Sequence, residues 1–321
     1  MGLVPLENME GIGDGPLIVI GFALLMLGGE FVVQGAVTIA GRMRVPPLLV
    51  GFTIVAIGTS LPELAVALEA IRTDADAVAV GGVLGSNVAN VMLVLGTAAM
   101  IGAASDTGKG VRRDAAAVAA ATVMLLIAVM MGEITRIFGI VMLLGLVAYY
   151  IYSYRQSKAE GTDVDDSDTW LPDYLYLAIP ATVLGGWMIW SGAEMLVEGA
   201  TGLASTYGIP ESVVGLSVVA LGTSLPELAV TLVAGLRGQG GVAVGNVLGS
   251  NVMNILGILG VAATYSGGLI VAPEFAQRDI WVVILTSGFI VAMLFYEREI
   301  GKKLGLGMVL GYLSYMTLLY I

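Results

Sequence analysis

The sequence predicts an all-α membrane protein in which ten transmembrane helices form two inverted five-helix repeats. Three observations support this prediction: the composition, a series of apolar runs of membrane length, and an internal duplication. The 321 residues are 57% hydrophobic and only 12% charged, and their mean hydropathy is +0.92. A soluble domain typically contains about 25% charged residues, so the composition excludes an ordinary soluble domain.

The apolar runs between charged residues give ten candidate membrane spans. A helix needs about 20 residues to cross about 30 Å of hydrocarbon. The runs are continuously apolar, whereas the strands of a membrane β-barrel would alternate polar and apolar residues. The predicted spans cover residues 16–41, 46–71, 77–103, 114–132, 134–155, 172–205, 211–236, 241–266, 279–296 and 303–321.

The basic residues between these spans predict the orientation of the chain. Eleven Lys and Arg residues fall on one side of the ten-helix arrangement, and only Arg72, Arg136 and Arg278 fall on the other. Basic loops face the cytoplasm, so a multi-pass protein of the cell membrane with both termini outside is expected. The predicted units are a first repeat at 1–155, an acidic cytoplasmic linker at 156–171 and a second repeat at 172–321.

The two halves of the chain repeat the same pattern at an offset of 164 residues. Residues 58–63 and 222–227 have the same sequence, Gly-Thr-Ser-Leu-Pro-Glu. Identity reaches 12 of 16 positions between 51–66 and 215–230, and 10 of 16 between 81–96 and 245–260. Because five helices is an odd number, the second copy must enter the membrane from the opposite side. Inverted repeats of this kind are typical of secondary transporters, which bind substrate near the bilayer midplane.

Each copy of the hexapeptide contains a proline inside a predicted span. Pro62 has no N–H, so the carbonyl of Gly58 loses its helical partner, and Pro226 has the same effect on Gly222. Helices 2 and 7 of the ten are therefore predicted to be broken at this point. Carbonyl groups freed at membrane depth are tolerated only where they line a cavity or meet an ion.

Glu63 and Glu227 place a carboxylate at membrane depth twice. Each costs at least about 2.5 to 3.5 kcal/mol at the bilayer centre, and a bound cation would compensate. Helix spacing places Thr59 and Ser60 beside Glu63, and Thr223 and Ser224 beside Glu227. In the next helix of each half, a hydroxyl and an amide four residues apart share a face; these are Ser86 with Asn90 and Ser250 with Asn254. Hard oxygen donors suit calcium or sodium and argue against copper or zinc. The chain has no Cys and no His, so thiolate and imidazole ligands are excluded.

Single members of this set also have an ordinary structural explanation. Ser, Thr and Asn can join helices by hydrogen bonds, and Gly allows helices to pack closely. The repetition of the whole set, with a carboxylate in each copy, favours an ion site. Glu30 and Glu194 also match between the halves; a helix-interface or loop-facing role is expected for them, with a gating role as the alternative.

The hexapeptides, each followed by Gly-Ser-Asn-Val-x-Asn at 85–90 and 249–254, resemble the α-repeats of the cation/calcium antiporter superfamily. The resemblance is to its sodium/calcium exchanger branch, and the chain length is similar to that of compact prokaryotic members. It implies a transporter, not an enzyme, that exchanges calcium for sodium by alternating access. Three sodium ions per calcium, and hence electrogenic exchange, are implied, with the first helix of each half sliding against the rest.

The same resemblance implies roles for individual residues. Glu63 and Glu227 would be the central calcium ligands, with backbone oxygens of Thr59 and Thr223 beside them. The sodium sites would be completed by Ser60, Ser86, Asn90, Ser224, Ser250 and Asn254 and by the carbonyls of Ala56 and Ala220. The expected partners are calcium ions, sodium ions and the lipid bilayer, with no cofactor, no nucleic acid and no obligatory protein partner.

Other functions use parts of the same pattern. Some prokaryotic relatives have Asp where this chain has Asn254. With Asn in both halves, the core of this chain has only two negative charges, so the identity of the coupling ion stays open. A proton/calcium or a potassium-dependent sodium/calcium antiporter is the alternative. A passive channel is disfavoured by the inverted repeats with broken helices. Residues 11–14, Gly-Ile-Gly-Asp, match a short motif of intramembrane aspartyl proteases, but they lie in a polar tail and no pair of membrane-embedded aspartates exists.

Overall fold

The structure is a computed structural model that describes residues 13–73, 75–104, 110–160, 170–207, 220–296 and 298–319, and these are mainly helical. The first half contains α1 (Asp14–Met43), α2 (Pro47–Thr59), α3 (Leu61–Arg72), α4 (Asp76–Met100), α5 (Val111–Met131) and α6 (Arg136–Glu160). The second half contains α7 (Leu175–Thr206), α8 (Ala220–Thr223), α9 (Leu225–Leu236), α10 (Gly240–Ser266), α11 (Phe275–Phe295) and α12 (Lys302–Leu319).

Seven of the described helices are long and apolar enough to cross a bilayer. Helices α2 and α3 form an eighth span if the bent pair is counted as one. Helix α9 is apolar but has only 12 residues, and it follows residues 208–219, which lie outside the described ranges. Helix α12 has 18 residues and begins with two lysines, which lower its hydropathy. The count of ten spans therefore stays a prediction, and so do the inverted repeats and the linker, most of which lies at 161–169, outside the described residues.

Helices α1 and α7 pack together through glycines spaced seven residues apart. A Cβ added to Gly28 would lie 2.7 Å from the carbonyl oxygen of Gly185, and one added to Gly185 would lie 2.6 Å from that of Gly28. Gly21 and Gly192 make the same reciprocal contact. Since real Cβ atoms do not approach this closely, only glycine lets the two backbones touch.

Helix α10 lies at the centre of the molecule and packs on α2. Its Gly249 lies so close that an added Cβ would be 2.6 Å from Cα of Phe52 and 2.7 Å from Cβ of Ala56. Around it, apolar side chains of α4, α5 and α10 form a continuous buried core that includes Val83, Val118, Val247 and Leu248. This packing holds the hexapeptide of the first half against α10.

Two features depart from a regular all-α bundle. Strands β1 (Glu133–Thr135) and β2 (Gly268–Ile270) form a short antiparallel pair with Glu133 opposite Ile270, so the expectation of an entirely helical protein was wrong in this detail. Several helices also contain π-helical turns, at Gly51–Val55, Asn90–Leu95, Met253–Ile258 and Phe275–Asp279. Such turns are rare and often occur at functional sites.

Candidate ion-binding site

Each hexapeptide contains a helix break one residue before its Leu-Pro pair. The axis bends by 42° between α2 and α3, at Ser60, whose φ of −88° and ψ of 5° are not helical. Ser224, between α8 and α9, has nearly the same values, −91° and 1°. Pro62 and Pro226 then occupy the first turn of the next helix, where a missing N–H breaks no hydrogen bond. A new helix therefore starts just after Ser60 and just after Ser224, while the broken membrane spans 2 and 7 stay a prediction.

The two glutamates lie in the first turns of these new helices. A helix N-terminus favours negative charge because its first N–H groups have no helical partner. Glu227 is fully buried and Glu63 is 6% exposed. Two acidic side chains are therefore held in the protein interior in the absence of any described basic partner.

The Glu227 carboxylate is bonded to groups from both halves of the chain. Its Oε1 atom accepts a hydrogen bond from Ser60 Oγ at 3.2 Å and one from Ser250 Oγ at 3.5 Å. The Thr59 hydroxyl lies 3.4 Å from Ser250 Oγ. The structure thus brings together four of the residues predicted from the sequence, and the break of the first half lies against the carboxylate of the second.

Several polar atoms around this cluster are buried and have no hydrogen-bond partner among the described residues. They include both carboxylate oxygens of Glu63, Oε2 of Glu227, Oγ of Ser224 and the amide groups of Asn90 and Asn254. Leaving one such group unsatisfied costs about 1 to 3 kcal/mol. Because most of these atoms are oxygens, the donor set fits a hard cation. Within the described residues, no group of three or more His, Cys, Asp or Glu side chains could hold a metal ion, so neutral oxygens would have to complete its coordination.

The remaining predicted residues have no hydrogen bond to the Glu227 carboxylate among the described contacts. Ser86 is buried, but its hydroxyl donates to the carbonyl of Gly82 at 2.9 Å. The carbonyl of Ala56 accepts the N–H of Ser60 at 3.1 Å, so only its second lone pair is free for an ion. Thr223 ends α8 and is partly buried. Ala220 begins α8, and its side chain lies outside what the structure describes.

A small cleft, with room for about 30 Å³, lies between the hexapeptides and the helices α1 and α7. Its lining includes Val32 of α1, Trp190 of α7, Thr59, Pro62 and Pro226. Residues from both helix breaks therefore face one opening. The cleft thus adjoins the segments that precede both glutamates.

Glu30 and Glu194, which match in the sequence, differ in their surroundings. Glu30 forms an ion pair with Arg237 at the end of α9, with Nη2 and Oε1 2.8 Å apart, and accepts a hydrogen bond from Trp170. Glu194 accepts a hydrogen bond from Trp190 at 2.8 Å, and its Oε2 is buried without a partner. The Glu30 pair joins α1 to α9, as an interface role predicts.

Sequence reasoning missed four buried polar residues near this cluster. Asn87 and Asn251 belong to the repeated Gly-Ser-Asn segments and have unpaired amide oxygens, so the repeat itself was the signal for them. Asn246 and Thr231 hydrogen-bond to each other at 3.1 Å. They have no counterpart in the first half, where the matching residues are Gly82 and Ala67, so no repeat pointed to them.

A family model described as sodium/calcium exchanger protein matches residues 16–155 and 177–321. The chain belongs to the sodium/calcium exchanger protein family. Inner membrane protein YrbG of Escherichia coli is 34% identical over 95% of this chain and 96% of its own length. Sodium/calcium exchanger MaX1 of Methanosarcina acetivorans is 28% identical over 95% of this chain and 97% of its own.

The fold is also similar to a solved structure from the exchanger family. The sodium-calcium exchanger NCX_Mj, soaked with zero Na⁺ and Ca²⁺, superposes with a TM-score of 0.81 at 27% identity, over 95% of this chain and 98% of that one. A second structure of the same protein, soaked with both ions, gives a TM-score of 0.80 at 28% identity. The similarity to the exchanger family therefore extends over both halves of the chain, well beyond the two hexapeptides.

Proposed function

We propose that this protein is a secondary antiporter that exchanges calcium for sodium across the cell membrane. The observation that supports this most strongly is the buried pair Glu63 and Glu227. Among the described residues, neither carboxylate oxygen of Glu63 and only one of Glu227 has a hydrogen-bond partner. Two carboxylates neutralise one calcium ion, and the buried hydroxyls and amides around them supply further oxygens of the type that calcium and sodium prefer. Membership of the exchanger family supports the same assignment.

The proposed ligands are those predicted from the sequence. Glu63 and Glu227 bind calcium with the backbone oxygens of Thr59 and Thr223. Sodium uses Ser60, Ser86, Asn90, Ser224, Ser250 and Asn254 together with the carbonyls of Ala56 and Ala220. Three sodium ions for one calcium move one net charge, and a membrane potential acts on that charge with about 2.3 kcal/mol per 100 mV.

Exchange is proposed to proceed by alternating access, in ten spans arranged as two inverted repeats with both termini outside. The pair α1 and α7 slides against the remaining helices and opens the site to one side of the membrane at a time. The glycine contacts between α1 and α7 support their movement as one body, because the two backbones touch without interposed side chains. The cleft beside this pair supports the proposal, because it lies between the sliding pair and both hexapeptides.

Uptake of radioactive calcium into liposomes tests the function. Vesicles that contain the purified protein and internal sodium are diluted into sodium-free buffer, and calcium should accumulate only while the outward sodium gradient lasts. Vesicles with equal sodium on both sides are the control. Uptake that ignores sodium and follows a pH gradient, or that requires potassium, would instead identify one of the alternative antiporters. Uptake that follows the calcium gradient alone would indicate a channel.

The ion pair between Glu30 and Arg237 provides a test of the proposed movement. It joins α1 to α9 while the cleft is open, so Arg237→Gln should lower the population of this conformation. A partly exposed pair contributes about 0.2 to 1 kcal/mol, which predicts a change of up to about fivefold. The chain has no Cys, so a Cys introduced at Thr182, which lines the cleft, reports opening through its rate of thiol labelling.

In the Thr182→Cys background, labelling should be slower in Arg237→Gln than with Arg237 intact. Arg72→Gln is the matched control, because Arg72 ends α3 and pairs only with the exposed Glu69 of the same helix. An unchanged labelling rate in Arg237→Gln would show that the ion pair does not favour the open cleft.

A further inference from the structure

Asn246 is a fully buried residue at which the two halves of the candidate site differ. At the offset that superposes the two hexapeptides, the first half has Gly82 in its place. The neighbour of Asn246 on α9 is Thr231, and the matching residue of the first half is Ala67. The second half thus contains a buried pair of polar side chains that the first half lacks.

The hydrogen bonds of Asn246 fix the orientation of its amide. Its Nδ2 atom donates to the backbone carbonyl of Glu227 at 3.3 Å and lies 3.1 Å from the hydroxyl of Thr231. A backbone carbonyl can only accept a hydrogen bond, so the NH₂ group must be on this side. The Oδ1 atom then faces Thr59 and accepts the hydrogen bond of its hydroxyl at 3.1 Å.

This arrangement determines how the Thr59 hydroxyl can be used. A hydroxyl has one proton and two lone pairs. Oδ1 of Asn246 lies 3.1 Å from this hydroxyl and the carbonyl of Ala56 lies 3.4 Å away. The Glu227 carboxylate is a third neighbour, and its Oε1 atom already accepts from Ser60 and Ser250. With the Thr59 proton committed to Asn246 and the Ser250 proton donated to Glu227, both lone pairs of the Thr59 hydroxyl remain available to a cation.

Asn246 therefore links the two halves of the site. Through one amide it connects the hydroxyl of Thr59, at the break of the first half, to the backbone of Glu227, at the start of α9. The Glu227 carboxylate also receives hydrogen bonds from Ser60 and Ser250. Within the part of the chain that the structure describes, neither carboxylate oxygen of Glu63 has a hydrogen-bond partner.

We infer that Asn246 is a positioning residue that makes the two matching glutamates unequal. This inference rests on the proposed ion site. Asn246 holds Thr59 and Glu227 in place before an ion arrives, so these two residues form a fixed side of the cage. Glu63 forms the adjustable side, which closes on the ion. Asn246 itself does not touch the ion; it raises the affinity by removing the need to order Thr59 and Glu227 on binding.

Calorimetric titration of the purified, full-length protein with calcium chloride tests this role. Loss of the hydrogen bonds in Asn246→Ala should raise the calcium Kd about tenfold, while the number of sites per protein stays unchanged. Asn246→Leu fills the same space without hydrogen bonds and should show the same increase, so a failure of one variant to fold leaves the other to decide. A purely structural role would instead lower the number of sites and leave Kd unchanged.

A double-mutant cycle identifies the residue through which Asn246 acts. In a Thr59→Val background, Asn246→Ala should raise Kd by less than about threefold, because the hydroxyl that Asn246 orients is already absent. The inference is overturned by an unchanged Kd in both Asn246 variants, by fully additive effects in the cycle, or by absence of calcium binding in the wild type. If the wild type binds calcium but does not exchange it for sodium, only the proposed function fails.

Discussion

Glu63→Gln and Glu227→Gln should each reduce sodium-dependent calcium uptake to less than about 1% of the wild-type rate. Glutamine keeps the shape of the side chain and one carbonyl oxygen but removes the negative charge. The buried calcium ion would then face one carboxylate, and one positive charge would remain uncompensated. Removing one partner of a buried charge pair costs about 3 to 5 kcal/mol, which corresponds to a loss of at least about 100-fold in binding.

The measurement is initial uptake into sodium-loaded liposomes, normalised to the amount of folded protein. Glu69→Gln is the matched control, because Glu69 has the same side chain on the same helix as Glu63 but is solvent-exposed and pairs only with Arg72. Its uptake should equal that of the wild type. Full activity in either site variant would rule out that carboxylate as a ligand. If Glu63 is the adjustable side of the cage, both variants still lose exchange, since the charge is required at both positions.

Gly249→Ala should impair both folding and calcium binding, although it adds a single methyl group. That methyl would lie 2.6 Å from Cα of Phe52 and 2.7 Å from Cβ of Ala56, where backbone and neighbouring side chain cannot move aside. Overpacking of this kind typically costs about 1 to 3 kcal/mol of unfolding free energy. The displaced segment of α2 leads directly to Thr59 and Ser60, so the hydrogen bonds to Glu227 would also lengthen.

Thermal unfolding in detergent and calcium titration of the same sample measure the two effects together. Gly288→Ala is the matched control, because Gly288 lies in the helical interior of α11 and an added Cβ would meet nothing within 4 Å. There the substitution should stabilise the helix by about 0.5 to 1 kcal/mol. The contrary result is a Gly249→Ala variant that matches the wild type in both unfolding temperature and calcium affinity. That result would show that α2 and α10 are less closely packed than the structure indicates.

The elements that depend on local sequence could be predicted. Apolar runs between charged residues placed α1 at 16–41, close to the observed Asp14–Met43, because a helix must hide its backbone from lipid whatever its neighbours are. The breaks at Ser60 and Ser224 follow from the proline two residues later, which is a property of the chain itself. Repetition then indicated that both breaks and both glutamates serve one site.

The features that depend on packing could not be predicted. The π-helical turns at Asn90–Leu95 and Met253–Ile258 fall at matching places of the two halves, but helix-period patterns predict only α-helix there. Glu63 and Glu227 were found because comparison of the halves reveals residues that are the same in both. Asn246 was missed because the halves differ at that position. The ion pair of Glu30 with Arg237 joins residues 207 positions apart, a distance at which spacing indicates nothing.

The length of α1 and α7 has a consequence for the surrounding lipid. These helices contain 30 and 32 residues, about 45 and 48 Å at 1.5 Å per residue, whereas the hydrocarbon core is about 30 Å thick. Their outer faces present exposed apolar side chains, among them Val19, Phe22, Val183 and Trp187. A pair that slides along the membrane normal moves this apolar surface relative to the acyl chains. The acyl-chain length of the membrane is therefore expected to change the energy difference between the two access states, and with it the rate of exchange.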